Sequence, residues 1–580
     1  MGSEQSILQK EGYRVEKEPG SSVVATKGDE KFLIKKIILH QQTSGNADPA
    51  LNEMEILKTT SHPHIVSFKN SFQEHNTYYV VMDYCQGGSL ASKIRGSPPP
   101  PGSQVLSWIV EISLALKTMH EKGLTHKHLT PENVFLTEYG TVRLSESGKV
   151  YERSKETQST IGSDRLEKIQ FLAPEVFTNG VYDAKSDIWS MGCILYELCT
   201  QHSAFSAETP IKLIPKIIGG SYPSLPEHFS PELCELLSDI LKKDPQSRPT
   251  VSEILERPIM ISCLSEKSKR AVEDLQTKLD NLRQVADGLE RVHQGTTIGS
   301  LAGGVIGAAG GITSIVGLTL APFTLGASLI VTGVGVGVGV LGGVTAGASN
   351  ITNMVNQSSD RKVVRSIIKE FEERINAVVT WLQEITLILE AIKGKCDLAD
   401  PLDTEGSQLN EGNLARLGPR AGRGLGGIAE LIRLVQVMKI SRFAAQTSRV
   451  VRVAELATGV FSALFLAVDI FFIAMDAKEL HHIRQAKAVE ERAEEGGATE
   501  SVSETETSDF VSTSDQEALV ASSIMQEVTP QSLNKPSQND TQIRSEIMKF
   551  VRSIRKAAGE LQRVLDDLEK ITSSLPTVNH

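Results

Sequence analysis

Residues 299–347 read GSLAGGVIGAAGGITSIVGLTLAPFTLGASLIVTGVGVGVGVLGGVTAG, a stretch without one Asp, Glu, Lys or Arg. Pro322 divides it into two apolar arms, each about 20 residues or more and so long enough to cross a bilayer as a helix. Gly299, Gly303, Gly307 and Gly311 recur at every fourth position, as do Gly335, Gly339, Gly343 and Gly347. On a helix each series forms a smooth face that lets backbones approach closely in lipid. In water so many glycines disfavour an isolated helix. The expectation is a glycine-faced helical hairpin that enters membranes. A hairpin buried in a soluble bundle is the bland alternative, and the alternation VGVGVGVG also fits a strand.

Working outward, the flanks are helical and carry charge. Val272, Leu275, Leu279, Leu282, Ala286 and Leu289 form a heptad seam before the hairpin. After it, Val364, Ile367, Phe371, Ile375, Val378, Leu382 and Ile385 mark one side of an amphipathic helix over about 361–393, with Gly394 as its stop. A basic segment follows, with Arg433, Lys439, Arg442, Arg449 and Arg452 among apolar residues, a pattern drawn to anionic lipid headgroups or, more plainly, a solvated helix face. Next comes LATGVFSALFLAVDIFFIAM at 456–475, again of spanning length and broken only by Asp469. An ionisable group in such a span is a functional candidate; the competing reading is a structural Asp paired with Arg449 or Arg452. Residues 486–540 are rich in Glu, Ser and Thr and should be a disordered linker. The last segment, 541–574, carries a second heptad seam from Ile547 to Ile571.

The whole chain has 580 residues and a formal net charge of -11, which argues against a nucleic-acid partner. Its six cysteines are scattered without a CxxC pair, as expected of reduced thiols rather than a zinc site, so no metal site is expected. The chain begins MGSEQS, with Gly2 and Ser6 placed as in a myristoylation signal, and shows no secretory leader. A cytoplasmic protein at intracellular membranes is the expectation.

Residues 13–263 have mixed strand and helix patterns and an ordered set of motifs. FLIKKI (32–37) contains Lys35; LNEMEIL (51–57) contains Glu53; VVMDYCQGGSL (80–90) contains Met82; APE stands at 173–175; KSDIWSMGCILYEL (185–198) contains Asp187; DPQSRPT (244–250) contains Arg248. The region resembles a protein kinase, nearest in character to the NIMA-related kinases. The resemblance implies a bilobal α+β fold, Lys35 paired with Glu53, Met82 as gatekeeper, and Glu175 paired with Arg248. It also exposes departures. The family's HRDLKPEN reads HKHLTPEN here, so His128 replaces the aspartate that orients the substrate hydroxyl and Thr130 replaces the lysine, while Asn133 survives. The DFG triplet reads Glu146, Ser147, Gly148, and only Gly20 remains of the glycine loop. Loss of the base alone costs about 10²–10⁴-fold in rate. A pseudokinase with no catalytic residues is expected, with no cofactor required; ATP with magnesium, if bound at all, would be held weakly through Gly20, Lys35, Glu53 and Met82, the alternative for Lys35 and Glu53 being a retained structural ion pair.

Residues 265–485 resemble the apolipoprotein L family in GLTLAPFTLGASL, then GRGLGGIAELIRL, then FSALFLAVDIFFIAMDAKEL. That resemblance implies an all-α, lipid-binding, non-enzymatic domain. The combined reading is a multidomain chain: a tail (1–12), a kinase-like lobe regulating a membrane-inserting helical domain, then linker and coiled-coil-like helix. Its partners would be membrane lipids, anionic ones above all, and proteins docking on the lobe or coiled-coil helices. The alternatives are a membrane-tethered serine/threonine kinase and a non-catalytic scaffold.

Overall fold

A computed structural model describes residues 4–17, 22–28, 30–38, 58–96, 98–145, 168–299, 346–399, 449, 451–452, 455–473 and 538–575. The hairpin from 300 to 345 lies outside the described residues, as do Gly2, Gly20, Glu53, Glu146 to Gly148, Arg433, Lys439 and Arg442, and most of the linker.

The chain opens with helix α1 (Glu4–Lys10) and strands β1 (Arg14–Lys17), β2 (Ser22–Lys27), β3 (Glu30–Ile38), β4 (Phe68–Glu74) and β5 (Thr77–Asp83). These form one antiparallel sheet in the order β1-β2-β3-β5-β4. Alternation of side chains divides its apolar residues between two faces. Tyr79 and Val81 join Phe32, Ile34, Val23 and Ala25 on one face, whereas Val80 and Met82 join Ile37 and Val66 on the other. The first face is capped by Leu8 of α1, only 1% exposed, and by Tyr13, whose ring meets Phe32 edge-on at 5.8 Å. The start of the chain was expected as a tail; instead its short helix closes the sheet's outer core. Two adjacent apolar residues, Ile7 and Leu8, on a seven-residue helix leave no periodic signal from which to read this.

The second lobe is helical: α2 (Leu90–Ile94), α3 (Gly102–Glu121), α4 (Pro174–Thr178), α5 (Ala184–Thr200), α6 (Pro210–Gly219), α7 (Pro231–Ile240) and α8 (Val251–Leu255), with a two-stranded ribbon of β6 (Val134–Leu136) and β7 (Val142–Leu144). Helix α5 starts at a capping box in which Asp183 accepts from the Ser186 backbone and Ser186 returns a bond to the Asp183 amide. It packs on α3 and α7. At Gly192 a Cβ would stand 2.4 Å from Cγ2 of Ile240 and 2.8 Å from Cδ2 of Leu241, so the close approach needs glycine.

Beyond the lobe run long helices: α9 (Pro258–Gly299), α10 (Ala346–Ala399), α11 (Glu455–Ile473) and α12 (Gln538–Thr572). Helix α10 passes through Gly394, the expected stop, to Ala399; one interior glycine costs only about 1 kcal/mol. The chain divides into two compact units. One holds residues 1–272, 373–452 and 567–580, and the other holds 273–372 and 453–566. In the second unit the heptad residues Leu275, Leu279, Leu282, Ala286 and Leu289 of α9 are buried, as are Phe550, Ile554, Ala557, Leu561 and Val564 of α12. Gln276 and Gln562 exchange amide bonds at 3.2 and 2.9 Å, Lys278 meets Glu370 at 2.9 Å, and Phe471 stacks on Phe550 at 4.3 Å. Together these contacts make a helical bundle.

Candidate functional site: a kinase-type cleft and an apolar helix

The loop after α3 is positioned by Asp187. Its buried carboxylate accepts from the backbone amides of His126 (2.8 Å) and Lys127 (3.0 Å) and from the Tyr182 hydroxyl (2.9 Å), and it meets His120 Nε2 at 2.9 Å. Lys127, just before His128, takes a left-handed φ of 65°. The Asn133 side chain donates to the His128 carbonyl at 2.8 Å, and the Asn133 carbonyl accepts from Ser145 at 3.2 Å, just before the Glu146 triplet. Lys35 lies on β3 opposite Val80, only 8% exposed. Met82 is buried on β5 opposite Leu33, and Thr130 is buried in the loop. The skeleton of a kinase cleft is therefore in place among the described residues.

The side chain at position 128 is an imidazole. Burial, followed by Lys168, Lys127 and Lys35, pushes the His128 pKa below the ordinary imidazole value, with Asp187 pulling the other way. The three lysines thus act on the ring in the same sense as burial. Asn133 is the one described residue matching a family metal ligand, and no described group of three or more His, Cys, Asp or Glu is placed to hold a metal. Below the cleft, Arg248 grips Glu175 through two bonds of 2.7 Å, Ser186 adds a third at 2.8 Å, and the guanidinium lies 4.9 Å from the Trp189 ring centroid. This buried pair is the one expected from the motifs.

In the second unit, Asp469 on α11 is held by Arg365 of α10 through contacts of 2.7, 2.7 and 3.1 Å. Two of these contacts come from one guanidinium nitrogen and one from Arg365 Nε, so the pair is a fork rather than a single bond. Beside Asp469 on the same helix, α11 shows solvent a row of large apolar side chains, with Leu456 at 67%, Leu466 at 60%, Ile470 at 52% and Ile473 at 51% exposed. By length and apolar character α11 and the stretch Val364–Gly394 of α10 are each sufficient to cross a membrane; the α10 stretch is largely buried, α11 much less so.

The comparisons accord with this geometry. The protein kinase domain family model matches residues 20–260, and the apolipoprotein L family model matches residues 267–497. The chain joins a Nek-type protein kinase domain to an apolipoprotein L domain. The kinase domain is 38% identical over 240 residues to the mouse serine/threonine-protein kinase Nek1, a match covering 40% of this chain and 20% of Nek1. It is 35% identical over 245 residues to mouse Nek4, covering 41% and 31%, and 36% identical over 241 residues to human Nek5, covering 40% and 33%. The chain thus spans about a fifth to a third of these relatives' length.

Motif reading did not find a third constellation. His64 follows Pro63 in the loop before β4, and its ring lies parallel to Trp381 of α10, with centroids 6.1 Å apart and planes 7° off parallel. Around them are Glu111, Lys117, Arg143, Lys267, Glu373 and Glu384. The signal available in the sequence was a tryptophan and a glutamate, Glu384, inside an otherwise apolar helix side.

Proposed function

We propose that the chain is a lipid-binding, membrane-inserting effector whose kinase-fold domain regulates the helical domain instead of phosphorylating substrates. The observation that carries this reading is the outward apolar row of α11, Leu456, Leu466, Ile470 and Ile473, on a helix of spanning length inside an apolipoprotein L domain. A water-exposed row of this kind gains about 25 cal/mol for each Å² it buries. An interface rich in acyl chains offers that burial without a protein partner. The Arg365–Asp469 fork holds α11 against the bundle until then, and the basic residues before α11 would favour anionic headgroups. The deciding measurement is co-flotation of the full chain with vesicles of neutral lipid and of neutral lipid carrying an anionic phospholipid, along with dye leakage. Binding that vanishes when Leu466 and Ile470 are both changed to Ser supports the reading, and failure to float with either vesicle overturns it.

The regulatory role of the front domain rests on His128. The family's loop places a carboxylate to orient the attacking hydroxyl. Here a neutral imidazole among lysines stands in that place. Nucleotide, if bound, would lie against Lys35 and Met82 as a ligand and not as a phosphoryl donor. A second reading, a membrane-tethered serine/threonine kinase, is favoured by the Nek-type relatives and by the intact Asp187, Asn133 and Lys35 positions. Phosphate transfer from labelled ATP to a generic protein substrate, with and without magnesium, separates the two.

A further inference from the structure

The contact between His64 and Trp381 joins the kinase domain to a helix that belongs to the apolipoprotein L match, and both partners lie in one compact unit. Its hydrogen bonds fix the state of the imidazole. Trp381 Nε1 has only a hydrogen to give, and it donates to His64 Nε2 at 2.9 Å. Nε2 is therefore an unprotonated acceptor. His64 Nδ1 must carry the proton, and it donates to the Val142 carbonyl of β7 at 3.0 Å. An imidazolium carries a hydrogen on both nitrogens and would set one N–H against another across this contact. The ring is fully buried, so no water could relieve the clash.

The charges around the pair act in the same direction. From the same loop comes His62, whose Nδ1 accepts from the His64 amide at 3.2 Å. From β7 comes Arg143, which spans Asp83 and Glu373 of α10 at 3.3 and 3.2 Å. From α9 comes Lys267, 5.0 Å from the Trp381 ring centroid and 2.8 Å from Glu111 of α3. Glu111 in turn accepts from the Val142 amide at 2.8 Å, and Lys117 of α3 pairs with Glu384 of α10. Arg143 thus serves both Asp83 and Glu373, Lys267 serves Glu111 and Lys117 serves Glu384. A proton on His64 would add positive charge beside Lys267 and Arg143.

We propose that His64 and Trp381 form a latch by which the kinase domain holds the apolipoprotein L helix α10, closed while His64 is neutral and released when it takes up a proton. Burial first, with Lys267 and Arg143 adding to it against the bond to Val142, lowers the His64 pKa from 6.5 to about 3. The docked state therefore binds fewer protons than the released state between these values. Docking is at full strength above pH 6.5 and is lost as pH falls through the window toward 3. At pH 5.0 the released population should exceed that at pH 7.5 by roughly 30-fold, which is the proton-binding ratio for a released imidazole of ordinary pKa. The latch acts on the kinase domain and holds whether or not the helical domain meets lipid.

The test uses the full chain labelled with 5-fluorotryptophan, whose ¹⁹F resonance for Trp381 is assigned from the spectrum of Trp381→Phe. As pH is lowered from 7.5 to 5.0, the Trp381 signal should pass from its docked position toward that of a solvent-exposed indole, while Trp108 and Trp189 hold theirs. In His64→Gln, which offers an acceptor to Trp381 and does not titrate, the signal should stay in place. His64→Asn, equally unable to titrate, serves if the glutamine variant fails to fold. A wild-type Trp381 signal indifferent to pH overturns the proposal without any variant, and so does an equal movement in wild type and the non-titrating variant, which would assign the transition to the carboxylates.

Discussion

Replacing Asp469 with Asn tests what keeps α11 in the bundle. The fork to Arg365 has three contacts between 2.7 and 3.1 Å, and the two side chains are 32% and 27% exposed. Solvent screening removes much of the value of such a pair: fully exposed pairs contribute about 0–1 kcal/mol. Breaking a fully buried one by removing a partner costs about 3–5 kcal/mol. Intermediate exposure places Asp469→Asn at about 1–2 kcal/mol, a factor of about 5–30 in the population of detached helix. Hydrogen exchange on the full chain reads this directly: amides within Glu455–Ile473 should exchange about 5–30-fold faster, with little change inside the kinase domain. If α11 is the membrane-seeking element, the same variant should float with anionic vesicles at lower lipid concentration. The double variant Arg365→Met with Asp469→Leu removes both charges and should recover most of the loss. Exchange within α11 that stays inside twofold of wild type would show that packing by Phe461 and Phe471, and not the ion pair, holds the helix.

Glu175→Gln should be among the most damaging single changes in the kinase domain, because it strands the buried Arg248 guanidinium with half its fork lost; a cost of about 3–5 kcal/mol should appear as a clear fall in the thermal midpoint. Gly192→Ala adds a Cβ that must displace Ile240 and Leu241, and a loss of about 1–3 kcal/mol is expected in denaturant unfolding. His128→Asp restores one carboxylate but leaves Thr130 and Glu146 unchanged, so phosphate transfer from labelled ATP should remain at background; brisk transfer would favour the tethered-kinase reading.

The parts of this chain that could be read in the sequence are those where a buried charge or a regular spacing leaves little choice. The pairing of Arg248 with Glu175 was legible through the resemblance to a protein kinase, and the structure shows the guanidinium at 0% exposure against that carboxylate. The heptads of α9 and α12 fix which sides of those helices are covered. Spacing does not say what covers them. Trp381 fell inside a stripe that reads simply as apolar, and its partner His64 is 317 positions away, on a loop whose own motif signals only a turn. For Asp469 the sequence offers Arg449 or Arg452 as neighbours in a structural reading, whereas Arg365, 104 positions earlier, comes near only through helix packing, which spacing does not reveal. Gly394 reads as a stop only when its helix propensity is taken alone; α10 runs on through it to Ala399.

The bonds that hold the loop from His126 to Asn133 run almost wholly through main-chain atoms: amides to Asp187, a carbonyl to Asn133, a carbonyl to Ser145. Those bonds would form with any side chain at position 128, so this part of the loop's support does not depend on whether the domain can turn over, and a lineage drifting away from phosphoryl transfer would keep it. Only the loss of the chemistry itself would tell, which leaves such a scaffold open to reuse as a holder of other helices.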